Sequence, residues 1–347
     1  AFIFAGAGHT LLSSHWADTF ANSTLQSGPI FVLLEGIGER LGQAFGWPYW
    51  VGGGLVSALA CALLMVLACR AVFGAYLLEG RTTAAREFSA SIVFAVTGGL
   101  YVVAMYAHPD DLLVTLLLLI AAGRAATGRH GQAGVIFGLA AGVKLWALVA
   151  IAVLLIRATR RTGVYAGLMA AATVAVCYEP FIAFGRFEMF HGSWQIEHDA
   201  PLNLLFHDGT GFTWQLRMFQ AALAMTVGIV VLFRTRGRNS AVWLVPAAAI
   251  AARLLVDPRN IAYYYPPVLV CLLLGAWASG RLTTFGNSLA TGALMLFATG
   301  MFAITSGVVG SWWVVLFCIG VIAMAIRYRP GEVSSDQQQS QGLPVAS

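Results

Sequence analysis

The amino-acid sequence predicts an all-α protein, a polytopic transmembrane helical bundle with about 11 or 12 membrane segments. Two observations of composition and pattern support this fold class. Of the 347 residues, 59% are hydrophobic and only 10% are charged, whereas soluble domains carry about 25% charged residues. Apolar runs recur at 51–68, 91–105 and 163–178, and each approaches the roughly 20 residues that cross a hydrocarbon core.

The placement of the basic residues is the third observation. Arginines cluster directly after apolar runs, at 157–161, 234–238 and 327–329. This is the positive-inside pattern of cytoplasmic loops, so we expect an integral, multi-pass plasma-membrane protein. Nucleic acid is not an expected partner despite the net charge of +5, because the basic residues form no patch interleaved with aromatic residues.

With these clusters as cytoplasmic anchors, residues 1–329 are predicted to form a single transmembrane domain. Its first residues, 1–8, are typical of the outer end of a spanning helix whose start is missing. The predicted membrane segments then follow in the order 50–73, 88–106, 112–122, 163–184, 216–233, 241–256, 262–279, 289–306 and 312–326.

The stretch 131–156 lies between two basic clusters, so a single crossing does not satisfy the positive-inside pattern. We predict a pair of short helices broken near Lys144, since irregular backbone at membrane depth is tolerated where it lines a cavity.

Three segments are predicted to lie outside the membrane core. The first outer loop, 10–49, contains an amphipathic helix at 30–45, which is expected to lie on the outer membrane surface. A long outer loop covers 185–215. The Ser- and Gln-rich tail, 330–347, is predicted to be disordered and cytoplasmic.

Acidic residues and histidines are expected mainly on the non-cytoplasmic side. The sequence has 15 carboxylates, of which only Glu79, Glu87, Glu332 and Asp336 fall inside, so eleven lie outside or within the membrane. Of the seven histidines, only His130 falls inside. The positive-inside rule does not require this distribution, so it indicates a functional site on the outer face.

The first outer loop contains His15 and Asp18. Asp18 is the first carboxylate of the chain, and it directly follows the predicted helix end. The alternative is that Asp18 has no catalytic role and is a helix cap or a solvated loop acid.

His108, Asp110 and Asp111 lie at the predicted outer boundary between two apolar helices. Two adjacent acids and a histidine there are suited to bind a cation or to orient a hydroxyl. Capping of the following helix is the structural alternative, but it explains only one of the acids.

Lys144 is the only lysine of the chain and lies within an apolar, glycine-rich run. A lysine at membrane depth is costly and normally paired, so it is a functional candidate. We expect it to bind an anion in a cavity. Snorkelling to an interface is the alternative, although the cytoplasmic cluster at 157–161 is about a dozen residues away.

Arg253 and Arg259 flank an outer turn that contains Asp257 and precedes Tyr264. Guanidinium groups in this arrangement suit a phosphate or pyrophosphate, whereas the neighbouring tyrosines are also typical of an interfacial belt. Histidines and acids of the long loop have irregular spacing, which indicates a dedicated metal site only weakly. No cofactor is expected to be required, and a divalent cation is left open as an alternative.

Together these features resemble the GT-C superfamily of integral-membrane glycosyltransferases, and they are similar to actinobacterial polyprenyl-phosphate-mannose-dependent mannosyltransferases. The resemblance rests on Asp18, the surface helix after it, the turn at 108–111 before a short helix, the run 138–146 and the Asp257 turn. It extends from Asp18 to Pro266, which is most of the chain. The order and sidedness of these features are more specific than any one of them.

The resemblance implies an inverting transfer of mannose or a related sugar from a polyprenyl-phosphate donor to a lipid or glycan acceptor. Asp18 is the implied catalytic base, at an active site on the non-cytoplasmic side. The donor phosphate is then held by basic residues, for which the candidates are Lys144, Arg253, Arg259 and His108. Candidate substrate-binding residues are His15, Asp110, Asp111, Asp257 and Tyr264.

The chain departs from the family pattern in two ways. Its N-terminus is short by one helix, and Asp18 stands alone in a loop where many relatives have a pair of acids. Asp18 is then expected to act alone or to share a proton with His15.

Two other functions are compatible with the sequence. The first is a lipid or solute transporter or flippase without transferase activity. Transporters usually have paired repeats and intramembrane acids in both halves, which this sequence does not show. The second is an acyl- or phosphotransferase that uses the histidines of the long loop, but their scatter gives no triad order. Glycosyl transfer is therefore preferred.

Overall fold

The computed structural model describes residues 2–77, 84–104, 109–206, 209–235, 238–259, 261, 264–279 and 307–328. In this part of the chain the α-helices are α1 (Phe2–Leu11), α2 (Pro29–Ala44), α3 (Tyr49–Leu77), α4 (Ala84–Ala104), α5 (Asp110–Ala126), α6 (His130–Val143), α7 (Arg160–Phe184), α8 (Trp214–Arg234), α9 (Ala241–Leu254), α10 (Tyr265–Ala278) and α11 (Gly307–Arg327). Short 3₁₀ helices occur at Trp16–Phe20, Leu145–Leu155, Met189–His191 and Pro201–Leu204. The all-α prediction is confirmed, apart from one very short antiparallel pair of strands.

That pair consists of β1 (Trp194–Gln195) and β2 (Gly211–Phe212), with Trp194 opposite Phe212. It lies between α7 and α8, in the segment predicted as a long loop. Two of the hydrogen bonds that fasten this segment to other elements are between backbone groups. The Glu188 amide donates to the Phe20 carbonyl at 2.8 Å, and the Glu197 amide donates to the Pro258 carbonyl at 2.9 Å.

Within the described residues, three helical segments are long and apolar enough to cross a membrane, namely Val51–Leu77, Arg160–Phe184 and Trp214–Arg234. The predicted crossing at 289–306 and the tail at 330–347 lie outside the described residues. The number of crossings and their orientation stay predictions.

Helix α5 is the centre of the described bundle. It packs against α3, α6, α9 and α10, and almost all of its residues are buried because its sequence is apolar on every side. The sequence predicted a helix at 112–122, and the observed helix, Asp110–Ala126, extends beyond both predicted ends. Its first turn contains Asp110 and Asp111, which the sequence had suggested lie before the helix.

Helix α2 corresponds to the predicted amphipathic helix and begins at Pro29 rather than Ile30. Its buried side combines Phe31 and Val32 with three glycines, and a Cβ atom on one of these, Gly36, would lie 2.7 Å from the Gly8 carbonyl oxygen of α1. The apolar side chains Leu33, Ile37 and Leu41 are exposed along the opposite side. The helix is confirmed, and its location on a membrane surface stays a prediction.

Helix α6 ends at Val143, as the sequence suggested. Lys144 has an extended backbone, with φ −160° and ψ 128°, and a 3₁₀ helix follows from Leu145. The interruption near Lys144 is therefore confirmed. It turns the chain next to the start of α5, and this brings Lys144 to the two aspartates of the first turn of α5.

Candidate functional site

The Lys144 ammonium lies between two carboxylates. Its Nζ atom is 2.9 Å from Asp110 Oδ2 and 2.8 Å from Asp111 Oδ2. The side chains of Asp110 and Asp111 are 0% and 1% exposed, and that of Lys144 is 13% exposed. Charges buried to this extent are stable only when they are paired and hydrogen-bonded, so the three side chains form one unit.

Two further side chains complete this unit, and sequence reasoning missed both. The Ser27 hydroxyl donates to Asp110 Oδ2 at 2.6 Å, and the Trp146 indole N–H donates to Asp111 Oδ1 at 2.5 Å. Ser27 lies just before α2, so its hydrogen bond fastens the first loop to the start of α5. A lone serine or tryptophan has no sequence signature, although both residues are close to motifs that the sequence did indicate.

The position of the two aspartates has a local cause. They occupy the first turn of α5, where the positive end of the helix dipole favours acidic side chains. The capping residue is Pro109, and no side-chain capping bond is formed there. Capping therefore does not account for these acids.

Arg253 is the second cation of the site. Its guanidinium lies over the rings of Trp146 and Tyr264, 5.1 Å from each centroid. It also forms an ion pair with Asp257, with Nη2 at 2.9 Å from Oδ2. Gln220 supports both partners by donating to the Arg253 carbonyl at 3.1 Å and to Asp257 Oδ2 at 3.3 Å. Trp146 thus joins the Lys144 unit to the Arg253 pair.

Arg259 is the third cation and the most accessible one. Its Nε atom lies 2.8 Å from Glu197 Oε1, and its guanidinium lies 4.4 Å from the centre of the Trp194 ring. Its backbone amide donates to Asp257 Oδ1 at 3.2 Å. The Arg259 side chain is 36% exposed, whereas that of Arg253 is 11% exposed.

Three ion-paired groups are thus linked by Trp146 and by the Arg259 backbone amide. We call their seven charged side chains the ion cluster: Asp110, Asp111, Lys144, Glu197, Arg253, Asp257 and Arg259. Its members come from the start of α5, the break after α6, the long loop, the last turn of α9 and the turn after α9. The structure brings together six of the ten residues that the sequence singled out, and it places the Tyr264 ring against Arg253.

Asp18 lies outside the ion cluster. It is exposed and lines a cavity of 420 Å³ together with Thr10, Thr19 and Asn22. Asp18 lies inside the first 3₁₀ helix, whose capping residue is His15, so Asp18 is not a helix cap. The Asp18 amide donates to the His15 carbonyl at 3.0 Å, but no contact between their side chains is found in the described structure.

His108 lies outside the described residues. In the long loop, Arg186 Nε lies 3.1 Å and His191 Nδ1 2.6 Å from the Glu188 carboxylate. The hydrogen bonds from Arg186 and His191 hold the pKa of Glu188 below its usual value.

Within the described ranges, no group of three or more His, Cys, Asp or Glu residues is arranged to hold a metal ion.

Comparison with known protein families and with curated proteins finds no match for this chain. Its function is therefore inferred from the ion cluster, the Asp18 cavity and the contact that joins them. That contact is the Ser27–Asp110 hydrogen bond, nine residues after Asp18 in the same loop.

Proposed function

We propose that this protein is an inverting glycosyltransferase that moves a sugar, mannose or a related one, from a polyprenyl-phosphate donor to a lipid or glycan acceptor. One observation carries the proposal. An accessible carboxylate, Asp18, lies in a cavity on a loop that Ser27 fastens to a preorganised ion cluster. The cluster offers one accessible guanidinium, that of Arg259.

Asp18 is the proposed general base. A sugar hydroxyl is a weak nucleophile, so it gains from losing its proton as it attacks. The Asp18 carboxylate accepts that proton while the acceptor oxygen bonds to the anomeric carbon of the donor. The bond between that carbon and the phosphate oxygen breaks at the same time, and polyprenyl phosphate leaves with the electron pair. Configuration at the anomeric carbon is inverted.

Arg259 is the proposed contact for the departing phosphate. Preorganised cations stabilise charge that develops on a leaving group, and a guanidinium presents a fork suited to phosphate oxygens. All three cations are paired with carboxylates, but the Arg259–Glu197 pair is about one-third exposed, whereas Lys144 and Arg253 are largely buried. A phosphate at Lys144 would share the ammonium with Asp110 and Asp111, so we assign Lys144 and Arg253 mainly to holding the site in shape.

The proposed location is an integral membrane with the active site on the non-cytoplasmic side. Three apolar helical segments of spanning length support membrane insertion. Of these, the segment Arg160–Phe184 begins with Arg160 and Arg161 and ends next to the long loop. The positive-inside rule assigns its basic end to the cytoplasm, and the loop that contains Glu197 to the opposite side.

Transport of a lipid or solute is the second candidate, and one observation favours it. The chain is interrupted at Lys144 within a buried ion cluster, and interrupted helices with buried ions are typical of transporter binding sites. A transporter moves its substrate without a new covalent bond, so the two functions are separable.

The full chain in phosphatidylcholine vesicles, supplied with radiolabelled polyprenyl-phosphate mannose and a lipid extract of the expressing cells, separates the two functions. Transfer predicts release of polyprenyl phosphate and a new labelled product. Movement of intact donor across the vesicle wall without any new product would contradict transfer and support transport.

A further inference from the structure

A long apolar groove lies away from the ion cluster, between α6, the 3₁₀ helix Leu145–Leu155 and α7. It encloses about 510 Å³, and its walls include Leu148, Ile151 and Val174. One lining residue, Glu179, is charged. The groove therefore combines a hydrocarbon-like wall with a single carboxylate.

The groove follows the axis of α7. Its lining residues on this helix run from Gly167 to Ile182, a length of about 22 Å at 1.5 Å per residue. Helix α7 is the least covered of the three segments of spanning length, with 17% of its most apolar window buried. In a membrane such a groove is open to lipid and has the length of an extended acyl chain.

Glu179 is exposed near the end of α7, one turn before Phe184. No residue in the described part of the chain forms an ion pair with it. A carboxylate on an otherwise apolar spanning helix is costly and is normally paired. The complementary partner is a cationic group that reaches Glu179 while an attached hydrocarbon chain lies in the groove.

We propose that this groove binds a phospholipid whose headgroup contains a primary ammonium, such as phosphatidylethanolamine. One acyl chain lies along Leu148, Ile151 and Val174, and the ammonium pairs with Glu179. Because Glu179 lies at the end of α7 opposite Arg160, the lipid belongs to the leaflet on the side of the proposed active site. The inference requires membrane insertion but does not depend on glycosyl transfer.

Native mass spectrometry of the full chain tests the headgroup. The protein is incorporated into nanodiscs of equal phosphatidylethanolamine and phosphatidylglycerol, released, and scored for each retained lipid. Loss of one charge-assisted pair corresponds to about tenfold in affinity. We therefore expect Glu179→Gln to retain about tenfold less phosphatidylethanolamine with no change in phosphatidylglycerol. The matched control is Glu39→Gln, which changes a carboxylate on α2 and is expected to retain the wild-type amount.

Two neighbouring alanines of α7 test the groove itself. Ala171 and Ala172 are both exposed, but only Ala171 lines the groove. Ala171→Phe fills the groove and is expected to remove the retained lipid, whereas Ala172→Phe points elsewhere on the helix and is expected to leave it.

Equal phosphatidylethanolamine retention by the wild type and Glu179→Gln would overturn the proposal. So would equal losses in Ala171→Phe and Ala172→Phe, or a wild-type preference for phosphatidylglycerol. A misfolded variant is recognised by its melting temperature, and Glu179→Gln is nearly isosteric, so the headgroup test stands on a folded protein.

Discussion

Lys144 Nζ lies 2.8 Å from Asp111 Oδ2, although the two residues are 33 positions apart in the chain. The ion pair joins the start of the central helix α5 to the break at the end of α6. Asp110 accepts from the same ammonium at 2.9 Å. This part of the site is therefore organised around one largely buried ammonium and its two buried carboxylate partners.

Removing one member of this buried unit should be strongly destabilising. Asp111→Ala leaves the Lys144 ammonium and the Trp146 indole with one partner fewer, and breaking a buried pair typically costs about 3–5 kcal/mol of unfolding free energy. Thermal unfolding of the purified protein in detergent measures the loss. Glu188→Gln, in an exposed ion pair, should leave the melting temperature unchanged. A wild-type melting temperature for Asp111→Ala would contradict the role of the unit.

The Trp146 indole donates a hydrogen bond to Asp111 and lies against the Arg253 guanidinium, and Trp146→Phe removes only the first contact. The phenyl ring still lies beneath Arg253, but Asp111 Oδ1 loses its N–H donor. A buried acceptor left without its donor costs about 1–3 kcal/mol, so we expect a lower melting temperature than for the wild type. Trp312→Phe, at an exposed position of α11, is the control and should have little effect. Equal melting temperatures for the two variants would show that the hydrogen bond contributes nothing.

Gly28→Ala should disturb the joint between the first loop and the Lys144 break. The Gly28 amide donates to the Val143 carbonyl at 2.7 Å. A Cβ atom on Gly28 would lie within van der Waals overlap of the Gly142 carbonyl oxygen and the Tyr178 hydroxyl.

Such overpacking against backbone typically costs about 1–3 kcal/mol. Gly74→Ala, in α3, has no atom within 4 Å of the added Cβ and should instead stabilise the helix by about 0.5–1 kcal/mol. Chemical unfolding monitored by tryptophan fluorescence distinguishes these opposite signs, and a neutral Gly28→Ala would mean that the loop is not held here.

Arg259→Gln tests the proposed phosphate contact. Losing a charge-assisted hydrogen bond corresponds to about 1.5–3 kcal/mol, so the KM for polyprenyl-phosphate mannose should rise about tenfold or more. The KM for the acceptor should change much less. Arg186→Gln, in the long loop and outside the ion cluster, is the control, because Arg186 is also an exposed arginine paired with a glutamate. An equal rise in both KM values for Arg259→Gln would argue against a specific phosphate role.

Much of this architecture was predictable because it follows local rules. The interruption at Lys144 was predicted from basic residues on both sides of one apolar stretch, and α2 from its apolar spacing. The pairing of Lys144 with Asp110 and Asp111 was not, because it depends on how α5 and α6 pack. The sequence indicated an anion as the partner of Lys144, and in the fold that anion is supplied by the protein itself.

Other features had no sequence signal. Ser27 acts through one hydrogen bond, and Trp146 through one hydrogen bond and its contact with Arg253. Such contacts are set by the tertiary fold rather than by any pattern along the chain. The apolar groove along α7 also arises from packing, since Phe137, Leu148 and Val174 come from three different elements. The separation of Asp18 from the ion cluster also had no sequence signal, because long-range contacts fix the path of the first loop.

The most direct test of the proposed reaction is the rate of glycosyl transfer by Asp18→Asn. The amide is nearly the same size as the carboxylate and cannot accept the proton, so kcat should fall by about 10²–10⁴-fold with an unchanged melting temperature and donor KM. Full transfer activity in Asp18→Asn, measured with polyprenyl-phosphate mannose in the reconstituted system, would contradict the assignment of Asp18 as the base.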